Sequence, residues 1–282
     1  MKRFLIASLL VLMGFAGQVQ ANDPVKIKIQ GSTTVNPVVT EAAEIMAKEK
    51  GWKILVDTQG GSSGGISALG DGLVNIGMIS RPVSDEDREK YPEVDFTPHR
   101  IGLDGVALIV SKLIWESGVH AVTREQVQDL YEGRIKNWKE LGGSDAPVVF
   151  YNKEPGRGTW EVFADWAYGS HKKAPFVSLP EVGANEEARS KVAGHPSAIS
   201  QLSFAWAEKA DRIKALSIRL SDGETVEANR QNIQSGKYPL TRPLFVVTDG
   251  EPEGEIKDFI NFLKSDLGQR LVKKHGYLSI SE

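Results

Sequence analysis

The chain has 282 residues, 25% of them charged, and its 34 Lys and Arg against 37 Asp and Glu give a formal net charge of −3. That balance leaves no basic footprint for nucleic acid, and any anion site must be built locally. There is no cysteine, which excludes disulfides, thiolate chemistry, cysteine–zinc sites and a lipid-modified N-terminal cysteine.

Lys2 and Arg3 precede a short apolar stretch at 4–16, and Val19-Gln20-Ala21 offers small residues for cleavage. Residues 1–21 therefore read as a signal peptide. The apolar stretch is too short and too poorly flanked for a spanning helix, and no later segment is apolar enough. The expectation is an unanchored mature chain starting near Asn22 in a bacterial periplasm. Its length suits two domains.

Residues 25–29 alternate apolar side chains with Lys26 and Lys28 and predict a strand with one exposed face. Gly31-Ser32-Thr33-Thr34 follows. Pro37 suits the first turn of a helix whose stripe of Val38, Val39, Ala42, Ala43, Ile45 and Met46 runs to a stop at Gly51. A second strand is predicted at 52–56. Gly60-Gly61-Ser62-Ser63-Gly64-Gly65 then leads to a short helix around 66–69. A third strand, 75–79, ends at Ser80-Arg81, and Asp85-Glu86-Asp87 opens a solvated helix. The apolar run 106–110 reads as a buried strand. Thr123 and Gln126 form a capping box for a helix at 124–131.

Asn137-Trp138-Lys139-Glu140-Leu141-Gly142-Gly143 reads as a helix end and a tight turn. A strand at 148–151 feeds Asn152-Lys153-Glu154-Pro155-Gly156-Arg157-Gly158-Thr159. An aromatic-rich helix at 159–168 follows, with Trp160, Phe163, Trp166 and Ala167 turned to a core. Sheet and helix pieces are expected at 198–209 and 213–220, and a strand at 245–248. Amphipathic helices at 256–264 and 267–275 follow, the second closed by Gly276.

This alternation argues for parallel sheets in an α/β architecture, with ligands beyond the carboxyl ends of the strands. The junctions at 31–34, 60–65 and 152–159 start helices with small residues, leaving backbone N–H groups free to meet an anion. Three such junctions in an exported chain suggest a receptor for a small oxyanion. The five histidines are scattered without metal-ligand spacing, so neither a metal nor a cofactor is expected. A phosphoester hydrolase using Ser62 or Ser63 would lack a supporting histidine, a metal cluster or a thiol. No catalytic residue is therefore assigned.

Gly31-Ser32-Thr33-Thr34-Val35, Gly61-Ser62-Ser63-Gly64-Gly65-Ile66, Ile76-Gly77-Met78-Ile79-Ser80-Arg81 and Asp104-Gly105 occur in one order with two later motifs. These are Gly133-Arg134-Ile135-Lys136-Asn137-Trp138-Lys139-Glu140 and Tyr238-Pro239-Leu240-Thr241-Arg242-Pro243-Leu244. Together they resemble the periplasmic phosphate-binding proteins that feed ABC phosphate importers. The resemblance implies an α/β, two-lobed type II periplasmic binding protein fold, with two mixed or parallel sheets flanked by helices and a cleft between the lobes. Lobe 1 would be 22–104 plus 246–282 and lobe 2 would be 105–245, with crossings near 102–106 and 240–245. Inorganic phosphate would bind in the cleft, and the closed receptor, a monomer by default, would dock on a membrane permease.

Carried over by position, the resemblance puts Ser32, Thr33 and Thr34 in a first binding loop and Ser62, Ser63 and Gly64 in a second. Ser80 and Arg81 follow the third strand, and Gly158 and Thr159 close a fourth segment. Lys153 stands where the family usually has Arg, keeping the charge but not the planar fork. As a long, hydrated side chain it is expected to stay in solvent. Arg157 stands where the family usually has Ser; it joins the site or points out of it. Arg81 either meets the anion or pairs with Asp85. Asp104 either accepts the phosphate proton, which would repel sulfate, or caps a turn before Gly105; Asp57 is a weaker candidate for that acceptor. Ser197-Ala198-Ile199-Ser200, also a departure, is assigned to packing. The departures leave open a receptor for sulfate, arsenate or a phosphonate, and a signalling protein that kept only the fold.

Overall fold

The computed structural model describes residues 26–280; the signal peptide expected at 1–21 lies outside them. Strand β1 (Lys26–Gly31), helix α1 (Asn36–Lys50), β2 (Lys53–Asp57), α2 (Gly61–Gly70), β3 (Ile76–Ile79) and α3 (Asp85–Lys90) come first. The long β4 (Phe96–Ser111), α4 (Lys112–Glu116), β5 (Ala121–Thr123) and α5 (Arg124–Tyr131) follow. Next are β6 (Val149–Lys153), α6 (Gly158–Tyr168), β7 (Glu181–Val182), α7 (Asn185–Gly194), β8 (Ala198–Ser203) and α8 (Phe204–Ala207). The chain finishes with β9 (Ile213–Ala215), β10 (Ser217–Arg219), β11 (Thr225–Val226), α9 (Arg230–Gln234), β12 (Thr241–Asp249), α10 (Gly254–Lys264) and α11 (Asp266–Lys274). No helix among the described residues is long and apolar enough to cross a membrane.

Local chemistry accounts for most of these boundaries. Gly51 stops α1 in the left-handed conformation at φ 71°, and Thr123 with Gln126 makes the reciprocal capping box of α5. Two expectations need correction. Helix α2 starts at Gly61, not near 66, so Ser62, Ser63 and Gly64 form its first turn. The glycines there permit close approach to the sheet: a Cβ on Gly65 would lie 2.8 Å from the Gln30 carbonyl oxygen. The segment at 137–143 is a separate 3-10 turn, Trp138–Leu141, capped by Asn137. Its Trp138 is fully buried and donates from Nε1 to the Ser197 carbonyl at 2.8 Å. It anchors a core and takes no part in the site.

One continuous path of strands, β2-β1-β3-β12-β4-β8-β6-β7, with β9 added beside β4, runs through the molecule. Pairing is parallel between β1 and both β2 and β3, and between β6 and both β7 and β8. It is antiparallel where β12 meets β3 and β4, and where β4 meets β8. The sheets are therefore mixed. The early part of β4 pairs with β12 and its late part with β8 and β9, so a single strand serves both halves. One core gathers Ile29, Val38, Met78, Val246 and Phe259. The other gathers Leu108, Trp138, Phe150, Phe163 and Ile199. This is the two-lobed α/β architecture expected. Between the cores, the register sets Arg242 of β12 directly opposite Asp104 of β4.

Candidate anion site

The site begins where β1 hands over to α1. Gly31 has φ 139°, and a Cβ there would sit 2.2 Å from the Met78 carbonyl oxygen, so only glycine fits. The close approach lets Ser32 N–H donate to that same carbonyl at 2.8 Å. Ser32 Oγ accepts the Thr34 N–H at 3.2 Å and donates to Ser80 Oγ at 3.0 Å. Ser62, in the first turn of α2, accepts the Ser80 N–H at 3.1 Å. Gly158, the first residue of α6, packs onto these hydroxyls: a Cβ there would come 2.5 Å from Ser62 Oγ and 2.7 Å from Ser80 Oγ. The starts of α1, α2 and α6 thus converge, and the first N–H groups of any helix lack intrahelical partners.

A small cavity of about 10 Å³ lies at this convergence. Ser32, Thr33, Thr34, Ser62, Ser80, Gly158 and Thr159 line it, as the sequence led us to expect, together with Arg157. Gly61, Gly183 and Lys153 line it as well. No carboxylate does, among the described residues. Larger grooves, about 290 Å³ near His195 and about 530 Å³ near Asp222, open elsewhere but gather no comparable set of helix starts and buried cations.

Arg242 organises the site from below. It is 1% exposed. Its Nε and Nη2 donate to Asp104 Oδ2 at 3.2 and 2.8 Å. Nη1 reaches Ser80 Oγ at 3.2 Å and Thr159 Oγ1 at 2.9 Å, and Nη2 reaches Thr34 Oγ1 at 3.2 Å. One guanidinium thus ties together hydroxyls from three segments. Asp104 is buried beneath it and does not line the cavity. Its Oδ2 is held by Arg242, and its Oδ1 faces the Ala205 N–H at 3.4 Å. Asp57 does not line the cavity, and its Oδ1 accepts the N–H groups of Thr58 and Gln59.

Lys153 overturns the expectation of a solvated side chain. β6 extends two residues beyond 151 and carries Lys153 inward to 1% exposure. Its Nζ donates to the carbonyls of Gly183 and Ala184, each at 2.8 Å. Burial, and then the charges of Arg157 and Arg242, push this amine down to about 7, against weaker opposing pulls from Glu187 and Glu154. Arg157 is held by Glu154 Oε2, with Nε at 2.8 Å and Nη2 at 2.6 Å, while its stem covers Gly61.

Arg81, Ser63 and Gly64 lie outside the cavity. Arg81 is buried between Asp87 and Glu161, its Nη1 2.5 Å from Asp87 Oδ2 and its Nε against Glu161 Oε2. The pairing partner is therefore Asp87, not Asp85, and the helix expected to be solvated contributes a half-buried carboxylate. Burial opposes the charge of Arg81, but the hydrogen bond to Asp87 and the charge of Glu161 outweigh it and hold the guanidinium above its usual range. Burial pushes the Glu161 carboxyl up, against Arg81. Ser63 Oγ donates to Glu161 Oε1 at 3.0 Å, and Ser63 N–H to the Gly156 carbonyl at 3.0 Å. Beside them His171 Nε2 lies 3.4 Å from Glu86. This cluster joins α2 and α3 to α6 and the segment after it. Gly64 serves packing, since a Cβ there would lie 2.3 Å from the Gln59 carbonyl oxygen.

Arg242 and Gly183 were not singled out as site residues from the sequence, and Lys153 was weighed but expected in solvent. Arg242 stood within a motif already singled out, flanked by Thr241 and Pro243, but nothing local marked its side chain as inward.

Residues 18–266 match the model of the PBP superfamily domain. The chain is 30% identical to the Bacillus subtilis phosphate-binding protein PstS over 91% of its own length and 81% of that protein's. It is also 30% identical to PstS of Borreliella burgdorferi, covering 90% of each. A Clostridium perfringens protein classed with phosphate ABC transporter substrate-binding proteins and crystallised with bound phosphate superimposes with a TM-score of 0.77. It is 32% identical, over 90% of this chain and 99% of that one. An ABC-type phosphate transport receptor from Vibrio cholerae gives 0.70 at 27% identity, over 89% and 99%. With its two-lobed fold and a converging set of helix starts at the cleft, the chain belongs to the PBP superfamily and, within it, to the family of the PstS phosphate-binding proteins.

Proposed function

We propose that this protein captures inorganic phosphate between its lobes in the periplasm and delivers it to the permease of an ABC importer, without catalysis. The observation that carries this reading is the convergence of three helix starts and a ring of hydroxyls on buried Arg242 and Lys153, with no carboxylate among the described residues lining the cavity. A dianion is costly to bury unless its oxygens are hydrogen-bonded. Helix starts supply such donors with a favourable dipole. Ser32, Thr33, Thr34, Ser62, Ser80, Gly158 and Thr159 would form the donor ring, and Arg157, Lys153 and Arg242 the positive charge. Asp104 would orient Arg242, while Ser63, Arg81 and Glu161 would hold the mouth shut.

At about 10 Å³ the cavity has room for little more than one water. Entry of a tetrahedral anion therefore requires the lobes to part and the long Lys153 and Arg157 side chains to swing aside. We assign the lobes to 22–104 plus 246–282 and to 105–245, with the hinge in the paired stretch of β4 and β12. Export would rest on a cleaved signal peptide at 1–21, and the protein would act as a monomer. The test is calorimetric titration of the mature, ligand-stripped protein with phosphate and then sulfate near neutral pH. Tight one-to-one phosphate binding supports the reading; tighter binding of sulfate, or no binding of either, refutes it.

A further inference from the structure

Among the described residues, Lys153 differs from the nearby arginines in forming no ion pair. Arg242 has Asp104, Arg157 has Glu154, and Arg81 has Asp87 and Glu161. The Lys153 amine has two neutral carbonyls, those of Gly183 and Ala184. The charged groups around it come from every neighbouring element. Arg157 on the turn before α6 and Arg242 on β12 oppose its charge; Glu187 on α7 and Glu154 after β6 favour it. Both of those carboxylates are engaged elsewhere, Glu154 by Arg157 and Glu187 by the Gly183 N–H at 2.8 Å. An ammonium buried at 1% exposure beside two guanidinium groups and no facing carboxylate is unfavourable, because burial disfavours the charged form and like charges add to it.

We propose that Lys153 makes lobe closure conditional on the anion: while protonated, it opposes closure of the cleft until a bound anion supplies the missing countercharge. This rests on the phosphate-receptor reading of the same site. The open cleft hydrates the ammonium, and closing strips that water away. A dianion in the cavity replaces the lost hydration, so closure and capture become one event. Without such a group, the cross-cleft contacts of Ser63, Arg81 and Glu161 would favour an anion-free closed form, which would bind a permease unproductively.

The sign of the pH dependence follows. Closure without the anion drives the amine from its ordinary 10.5 down to about 7, so in that window closure releases a proton. Anion-free closure is therefore favoured as pH rises from about 7 toward 10.5, and its loss is already complete once pH has fallen to about 7. Within the window each pH unit changes the closed-to-open ratio by up to about tenfold.

The chain has no cysteine, so no native thiol need be removed before labelling. Glu89→Cys on α3 and Lys173→Cys beyond α6, exposed positions on the two segments that Glu86 and His171 bring together, would carry spin labels for interlobe distances. In phosphate-free buffer at pH 6 the unsubstituted Lys153 protein should be open, and inorganic phosphate should close it. Lys153→Met should shift several-fold toward the closed distance without phosphate. Raising the pH to 9.5 should do the same for the Lys153 protein, while Lys153→Arg, which keeps its charge, should stay open throughout. The proposal is overturned if Lys153→Met and Lys153→Arg give the same anion-free distances at every pH. If phosphate fails to close the Lys153 protein, the phosphate reading fails instead, and the anion-free comparison still decides the role of Lys153.

Discussion

Arg242 and Asp104 offer the sharpest test of how the site is built. Both are at most 2% exposed, they face each other across β4 and β12, and two guanidinium nitrogens meet one carboxylate oxygen. Removing one member leaves the other as a buried, uncompensated charge, at a cost of about 3–5 kcal/mol. Asp104→Asn keeps the shape and removes the charge; Arg242→Met keeps an apolar stem and removes the fork. In phosphate-free buffer each single variant should melt lower by roughly 6–20 °C, at about 2–4 °C per kcal/mol for a domain of 150–250 residues. The double variant leaves neither charge unpaired, and replacing a whole buried pair is often close to neutral. Its loss should therefore not exceed that of either single variant, falling short of the summed single losses by at least about 3 kcal/mol, the upper end of couplings between contacting residues. The assay is differential scanning calorimetry of the four proteins. Additive single effects, or an Asp104→Asn variant melting within a degree of the original, would show that the two charges do not depend on each other and would refute this account.

Other consequences follow from individual contacts. Because Asp104 acts through Arg242, Asp104→Asn should weaken phosphate and sulfate binding together in calorimetric titrations, and a selective loss of phosphate preference would restore the direct acceptor role. Gly158→Ala should leave the melting temperature nearly unchanged, since alanine suits a helix better than glycine by about 1 kcal/mol. Its Cβ would nevertheless collide with Ser62 and Ser80, so phosphate affinity should fall at least about tenfold, a loss of about 1.4 kcal/mol; unchanged affinity would exclude tight seating of α6 on α2. Glu161→Gln breaks the pair with Arg81 across the mouth while Arg81 keeps Asp87, and stopped-flow measurement should show phosphate leaving on the order of tenfold faster; an unaltered release rate would mean the cluster plays no part in closure. Trp138→Ala should cost about 3–5 kcal/mol of stability as a large core deletion without changing phosphate affinity per folded molecule, which separates this core anchor from the site.

The sequence by itself determined the features whose causes are local. Gly51, Thr123 and Gln126 marked helix ends because capping is decided within a few residues, and the alternation of strands and helices fixed the α/β class. The small-residue junctions that open α1, α2 and α6 were legible, although α2 was placed five residues late, because small residues at a strand-to-helix junction expose N–H groups wherever the junction lies. The partners of long side chains were not legible. From sequence Arg81 was the candidate and Arg242 carried no role, yet Arg81 is taken by Asp87 and Glu161, while Arg242 reaches the hydroxyls of Thr34, Ser80 and Thr159 because β12 pairs with β4 in the register that sets it over Asp104, 138 residues away. Lys153 went from an expected solvent position to a buried one when β6 ran two residues longer and the carbonyls of Gly183 and Ala184 closed over it. Only the tertiary structure decided these placements, because a side chain's charge is local but the groups that compensate it are brought by distant segments of the chain.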